Sequence, residues 1–162
     1  MPASERAEDQ TLRSFRARPW LISGLTLAAD QFTKWLVAGT FRPGQGLPIL
    51  DPTLHLTYVQ NTGAAFGLFK GQQALFIVCS VLIGAWIIKA FVAGASLSLI
   101  VEWSYALVLG GAIGNLIDRA RLGYVIDFID LRVWPVFNVG DSAITIGVTL
   151  LMWHSLFGAR HR

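Results

Sequence analysis

The sequence predicts an all-α integral membrane protein: four transmembrane helices, a small extracytoplasmic surface loop containing β-structure, and a short interfacial helix. Three observations carry that prediction. Of the 162 residues 54% are apolar and only 14% are charged, a balance foreign to ordinary soluble domains. The apolar residues gather into four runs, most of them near the twenty residues that a hydrocarbon core about 30 Å thick demands of a helix. Two irregular, more polar connectors separate the first run from the second and the third from the fourth.

The elements follow in order. Residues 1–19 are polar and end in arginines, which makes them a cytoplasmic leader to a membrane domain over residues 20–158. The first span, residues 20–40, opens at Trp20 and carries Asp30 and Lys34, which the short apolar core of a cleaved signal peptide would not hold; it is read as a retained helix. In the loop that follows, prolines and glycines break helix, while Leu54, Leu56 and Tyr58 alternate with polar neighbours. That alternation predicts a short strand or hairpin at the membrane surface. Spans at residues 74–92 and 97–117 are joined by a tight turn, Ala93 to Ser96. A connector from Asp118 to Asp141 has room for the interfacial helix, and a last, shortest span covers residues 142–157 before a cytoplasmic tail at 159–162.

An even number of spans puts both termini on one side. Arg6, Arg13, Arg16, Arg18, Lys89, Arg160 and Arg162 fall on that side, against Arg42, Lys70, Arg119, Arg121 and Arg132 on the other. The excess places the termini in the cytoplasm and both long connectors outside. The net charge of +3 comes with no basic stripe interleaved with aromatics, so nucleic acid is not an expected partner. Cys79 is the single cysteine, lies in an apolar run, and reads as a small hydrophobe.

Ionisable residues at membrane depth are costly and point to function. Asp30 and Lys34 stand four apart with the acid nearer the N-terminus, the favourable order for an intrahelical pair; a structural ion pair and a direct site role are both open. In GGAIGNLIDR, residues 110–119, glycines allow close helix approach, and Asn115 and Asp118 share a helix face. Asp118 is expected to hold one of its neighbours Arg119 and Arg121. Asp130, two residues before Arg132, is expected to face water.

Asp127 differs, because Val125, Ile126, Phe128 and Ile129 surround it and desolvation should raise its pKa. Asp141 opens the last span, and its plainest reading is a helix N-cap. The connector that carries Asp127 nevertheless leads straight into the helix that begins at Asp141, so both belong to the outer interface. Two carboxylates brought together cannot both ionise cheaply: one keeps a proton while the other is a base. Such a pair can activate water and protonate a departing amine, which is amide hydrolysis without a metal.

Other chemistries find little support. His55, His154 and His161 are scattered without HExxH spacing, no GxSxG turn is present, and no phosphate loop or dinucleotide fingerprint occurs. No metal and no cofactor is expected. A small proton-coupled transporter or channel subunit is the rival reading, but it predicts acids spread across membrane depth, whereas these cluster at one interface. In Gly63 to Gly67, GAAFG, the small residues admit a close-approaching peptide backbone with Phe66 packed over it; a tight turn that needs glycine accounts for them equally well.

Five polar islands in order, DQFTK at 30–34, NTGAAFG at 61–67, GGAIGNLIDR at 110–119, VIDF at 125–128 and PVFNVGD at 135–141, resemble those of the lipoprotein signal peptidases (signal peptidase II), the bacterial aspartic peptidases of the membrane. The resemblance covers nearly the whole chain from Trp20. It implies that Asp127 and Asp141 are the catalytic dyad, that Asn61, Asn115, Arg119 and Asn138 line the site or position substrate, and that Asp30, Lys34 and Asp118 support it. It further implies a site facing outward from the bacterial inner membrane and, as substrates, prolipoproteins whose lipobox cysteine carries diacylglycerol, cut before that cysteine with the acyl chains in membrane lipid. Inhibition by globomycin is expected. One position departs: Gly140 stands where the family usually has alanine, and its freedom is expected to loosen the backbone that aims Asp141.

Overall fold

The computed structural model describes residues 3–63, 72–93 and 97–158, with side chains from residue 17 onward. Its elements run α1 (Ala3–Thr40), β1 (Gly46–Leu50), β2 (Leu54–Asn61), α2 (Gln73–Val92), α3 (Leu99–Leu122), β3 (Val125–Asp130) and α4 (Val139–Phe157). Phe66, the Gly94–Ser96 part of the expected turn and the tail at 159–162 lie outside the described residues.

Among the described residues four helices are present where four were expected, with shifted ends. Helix α1 continues back from Trp20 through the polar leader to Ala3 and contains Pro19, whose missing N–H forfeits one bond of the helical ladder. Helix α3 is capped by the Ser98 hydroxyl and stops at Gly123, whose φ of 80° is the left-handed conformation glycine supplies at a helix end. It therefore runs one turn beyond the predicted boundary and carries Asp118 and Arg119 inside the helix.

The expected interfacial helix in the second connector is corrected by the structure: the segment holds β3 instead. Val125, Ile126, Phe128 and Ile129 are β-formers, and β2 offers them an antiparallel ladder. The sheet order is β1-β2-β3, with Leu47 opposite Leu56 and Val59 opposite Asp127. Tyr58, Ile126 and Phe128 bury against Val37 near the end of α1, which fastens the sheet to the bundle.

Elsewhere the usual distribution is inverted. Leu21, Phe32 and Trp35 on α1, Leu82 and Trp86 on α2, and Met152, Trp153 and Leu156 on α4 are exposed, while Asp30, Lys34, Asp118 and Asp127 are buried. A hydrocarbon solvent favours that arrangement, and α2 and α3 are each long and apolar enough to cross it. Between helices, small residues permit contact of backbones: a Cβ on Gly110 would lie 2.6 Å from the Ser23 carbonyl oxygen, and one on Gly147 would lie 2.7 Å from that of Ser104. Gly111 meets the Gly140 carbonyl more closely still.

Candidate active site

Strand β3, the C-terminal half of α3 and the first turn of α4 converge beside α1. Register explains the first neighbour of Asp127: Val59 lies directly opposite, so Asn61, two residues on, is the diagonal neighbour on the same face of the sheet. Asn61 Nδ2 donates to Asp127 Oδ2 at 2.8 Å, and Asn138 Nδ2 donates to Asp127 Oδ1 at 2.7 Å. The Asp127 side chain is otherwise enclosed, with the residue only 1% exposed. Burial, then the nearby Asp141 charge, push its carboxyl up to about 7, against the opposing pull of Asn61, Asn138 and Lys34.

Asp141 is not the N-cap of the last helix. Asn138 is, with its side-chain oxygen accepting from the Asp141 backbone N–H at 2.8 Å, and Asp141 occupies the third helical position of a capping box. Its Oδ2 receives the Asn138 N–H at 3.4 Å, and its Oδ1 receives Asn115 Nδ2 at 2.8 Å. One asparagine amide thus touches Asp127 through its nitrogen and the Asp141 backbone through its oxygen. Asn115 Oδ1 accepts in turn from Asn138 Nδ2 at 3.1 Å and from Lys34 Nζ at 2.8 Å.

Lys34 forms the expected pair with Asp30 at 2.8 Å and a second with Asp118 at 2.9 Å, all three buried. Here the expectation for Asp118 is overturned: it holds the lysine of α1, not a neighbouring arginine. Successive helical residues diverge by about 100°, so a side chain facing α1 turns its neighbour away. Arg119 instead stands over the Phe76 ring, 4.9 Å from its centroid, on the wall of a cleft. Asp130 does bond Arg132, accepting its N–H at 2.9 Å and its guanidinium at 3.3 Å, but it is buried and also accepts from Thr57 at 2.9 Å. Burial raises its carboxyl, and these bonds outweigh burial to leave it below the usual range. Two aspartates three residues apart on β3 are therefore driven in opposite directions.

The cleft has a volume of about 640 Å³, and Asn61, Arg119 and Asp141 share its wall with Phe76, Trp134 and Ile144. Gly63 donates its N–H to Asn61 Oδ1 at 2.9 Å and orients that amide. Among the residues that sequence reasoning left out, Gln31 is the most connected: its Nε2 reaches Asp118 Oδ1 at 3.0 Å and the Gly114 carbonyl at 3.1 Å. Its position beside Asp30 in DQFTK was the available signal. Gly140 is not loose, because its N–H is held by Asp30 Oδ1 at 2.7 Å inside the first turn of α4.

Two carboxylates bridged through one asparagine at the end of an apolar helical bundle, Asp127 buried and kept near neutrality and Asp141 on the wall of a cleft, are the equipment of a membrane-embedded aspartic peptidase. Comparison with known proteins agrees and goes further. Residues 22–157 match the family model for signal peptidase (SPase) II, and the chain belongs to that family. It is 46% identical to the lipoprotein signal peptidase of Moorella thermoacetica over 86% of this chain and 93% of that one, and 42% identical to that of Halothermothrix orenii over 82% and 91%. A bacterial membrane enzyme solved by the in meso method at 2.3 Å superimposes with a TM-score of 0.84 at 31% identity, covering 90% of this chain and 92% of that one.

Proposed function

We propose that this signal peptidase II removes signal peptides from prolipoproteins with Asp127 and Asp141 as its catalytic pair, cutting before a diacylglyceryl-modified cysteine. The observation that carries the reading is the Asn138 side chain, which donates to the Asp127 carboxylate at 2.7 Å and accepts the Asp141 backbone N–H at 2.8 Å, while Asp127 is held at about 7. The pair carries one proton. Its ionised member takes a proton from water as the oxygen attacks the scissile carbonyl carbon, and its protonated member shares its hydrogen with the carbonyl oxygen. Collapse of the tetrahedral intermediate breaks the C–N bond, the amine leaves with a proton from the pair, and the one-proton state returns. Arg119 and Asn61, both on the cleft wall, are the donors for the developing oxyanion.

All four helices cross the membrane in this reading, with both termini cytoplasmic and the cleft in the outer leaflet. Acyl chains of the modified cysteine stay in the bilayer while the peptide bond reaches the acids, so binding is a search in two dimensions. Globomycin competes for the same cleft. The test uses purified protein in detergent with a diacylglyceryl-modified prolipoprotein and its unmodified form. Wild type should cleave only the lipidated form, and Asp127→Asn and Asp141→Asn should remain folded and lose cleavage. Cleavage surviving either substitution refutes the pair.

A further inference from the structure

Each proposed catalytic aspartate is preceded by a residue whose backbone N–H is held by another buried carboxylate. Asp118 Oδ2 accepts from the N–H of Ile126, just before Asp127, at 3.1 Å. Asp30 Oδ1 accepts from the N–H of Gly140, just before Asp141, at 2.7 Å. Lys34 Nζ joins the two holding acids, at 2.8 Å from Asp30 Oδ2 and 2.9 Å from Asp118 Oδ2. Its third proton goes to Asn115 Oδ1 at 2.8 Å, and the other end of that amide holds Asp141 Oδ1. An ammonium has three donors, and all are spent in fixed directions. With Lys34 only 2% exposed, the group cannot also serve water or substrate.

We propose that Asp30, Lys34 and Asp118 form a gauge that sets the separation of the catalytic carboxylates, with Lys34 as its strut; this rests on the Asp127–Asp141 reading. Glycine contacts and the Val37 cluster bring these elements together, and the strut ties them at the level of the two acids. Helix α1 supplies Lys34 and Asp30, α3 supplies Asp118, and through them α4 and β3 are held at the peptides that aim Asp141 and Asp127. Ile126 is gripped on both sides, since its carbonyl also accepts from Asn138 Nδ2 at 3.3 Å. A misplacement of about 1 Å in reacting groups costs on the order of 100-fold in rate. These three are positioning residues, and their loss should appear in kcat while the cleft, which none of them lines, keeps its affinity.

The experiment measures kcat and KM on lipidated prolipoprotein for Lys34→Met, Lys34→Arg, Asp30→Asn and Asp30→Ala, with thermal unfolding in detergent. Lys34→Met should lose at least 100-fold in kcat with KM within threefold. Asp30→Asn, which keeps an oxygen for Gly140, should recover at least tenfold of the kcat lost in Asp30→Ala. Once Lys34 is Met, adding Asp30→Ala should lower kcat by less than threefold more, because the strut is already gone. If Lys34→Met fails to fold, Lys34→Arg retains the charge, changes the reach, and should show the same split. The gauge is overturned by a lysine variant with kcat within fivefold of wild type, by KM rising in step with falling kcat, or by fully additive losses. Asp127→Asn and Asp141→Asn run alongside: if both are inactive the dyad stands whatever the gauge variants do, and if either cleaves, the dyad and the gauge fall together.

Discussion

Asn138 Nδ2 lies 2.7 Å from Asp127 Oδ1, while the same side chain caps the helix that carries Asp141. A cap and a contact to the proposed catalytic Asp127 are thus one residue, and substitutions can separate them. Asn138→Asp keeps an oxygen for the Asp141 N–H but replaces the donor to Asp127 with a third acid. The cap itself should change by no more than about 1 kcal/mol, but the new buried oxygen faces only acceptors, so the unfolding midpoint should fall and kcat should drop at least 100-fold. Thermal unfolding beside single-turnover cleavage checks this; an active Asn138→Asp would show that the amide serves the helix alone.

The pH profile should report the Asn61 bond. In the proposed mechanism cleavage needs one proton on the pair, and with Asp127 held at about 7 the rate should decline as pH rises past that point. Asn61 donates to the carboxylate and so favours its ionised form, drawing the value down. Asn61→Ala removes that pull. The alkaline limb of kcat/KM should therefore move to higher pH, alongside a lower maximum. A limb that moves to lower pH would assign it to another group.

Stability carries the same sign. Asp127 titrates higher in the folded protein than in an unfolded chain, so the folded state binds its proton more tightly. The stabilisation is complete below about pH 4 and is lost as pH rises through about 7, with a ceiling on the order of 4 kcal/mol by linkage. Asp127→Asn does not titrate and escapes the loss. The unfolding midpoint of Asp127→Asn should accordingly rise relative to wild type between pH 5 and pH 8, measured in one detergent. A constant difference would show that burial does not hold the proton.

Much of this site was legible in the sequence because its signals are local. The apolar neighbours of Asp127 announced desolvation, the i to i+4 spacing of Asp30 and Lys34 announced their pair, and alternation from Leu54 to Tyr58 announced β2. What local pattern could not give was partner choice across elements. Asp118 has arginines beside it in sequence and takes a lysine from another helix. Asp130 has the expected arginine but loses its water to Thr57 and the sheet. The helix expected after α3 became β3 because β2 was there to pair with it. Capping moved three residues, from Asp141 to Asn138, because hydrogen-bond geometry decides between two residues that both cap well.

Two glycines at the meeting of α3 and α4 should respond very differently to one methyl group. A Cβ on Gly140 would stand 3.0 Å from Asp30 Oδ1, 3.0 Å from the Gly111 carbonyl oxygen and 3.2 Å from Asn138 Oδ1. These contacts are tight, but relief requires movement of only a few tenths of an ångström. Alanine is also favoured over glycine in helices, by up to about 1 kcal/mol in an interior and by less in the first turn where Gly140 stands. Gly140→Ala should therefore fold with stability within about 1 kcal/mol of wild type and lose less than tenfold in kcat, since displacement of Asp141 stays well below 1 Å. Gly111 faces the Gly140 carbonyl itself, at a range no Cβ accepts, and with the Ile144 side chain 3.0 Å away. Backbone cannot step aside as a side chain does, so Gly111→Ala must push α4 from α3, and overpacking of that kind costs about 1–3 kcal/mol or more. It should lower the unfolding midpoint clearly and abolish cleavage by parting Asn115 from Asp141. A stable and active Gly111→Ala would mean that the helices are free to separate at this level, and that their close approach does not hold the site together.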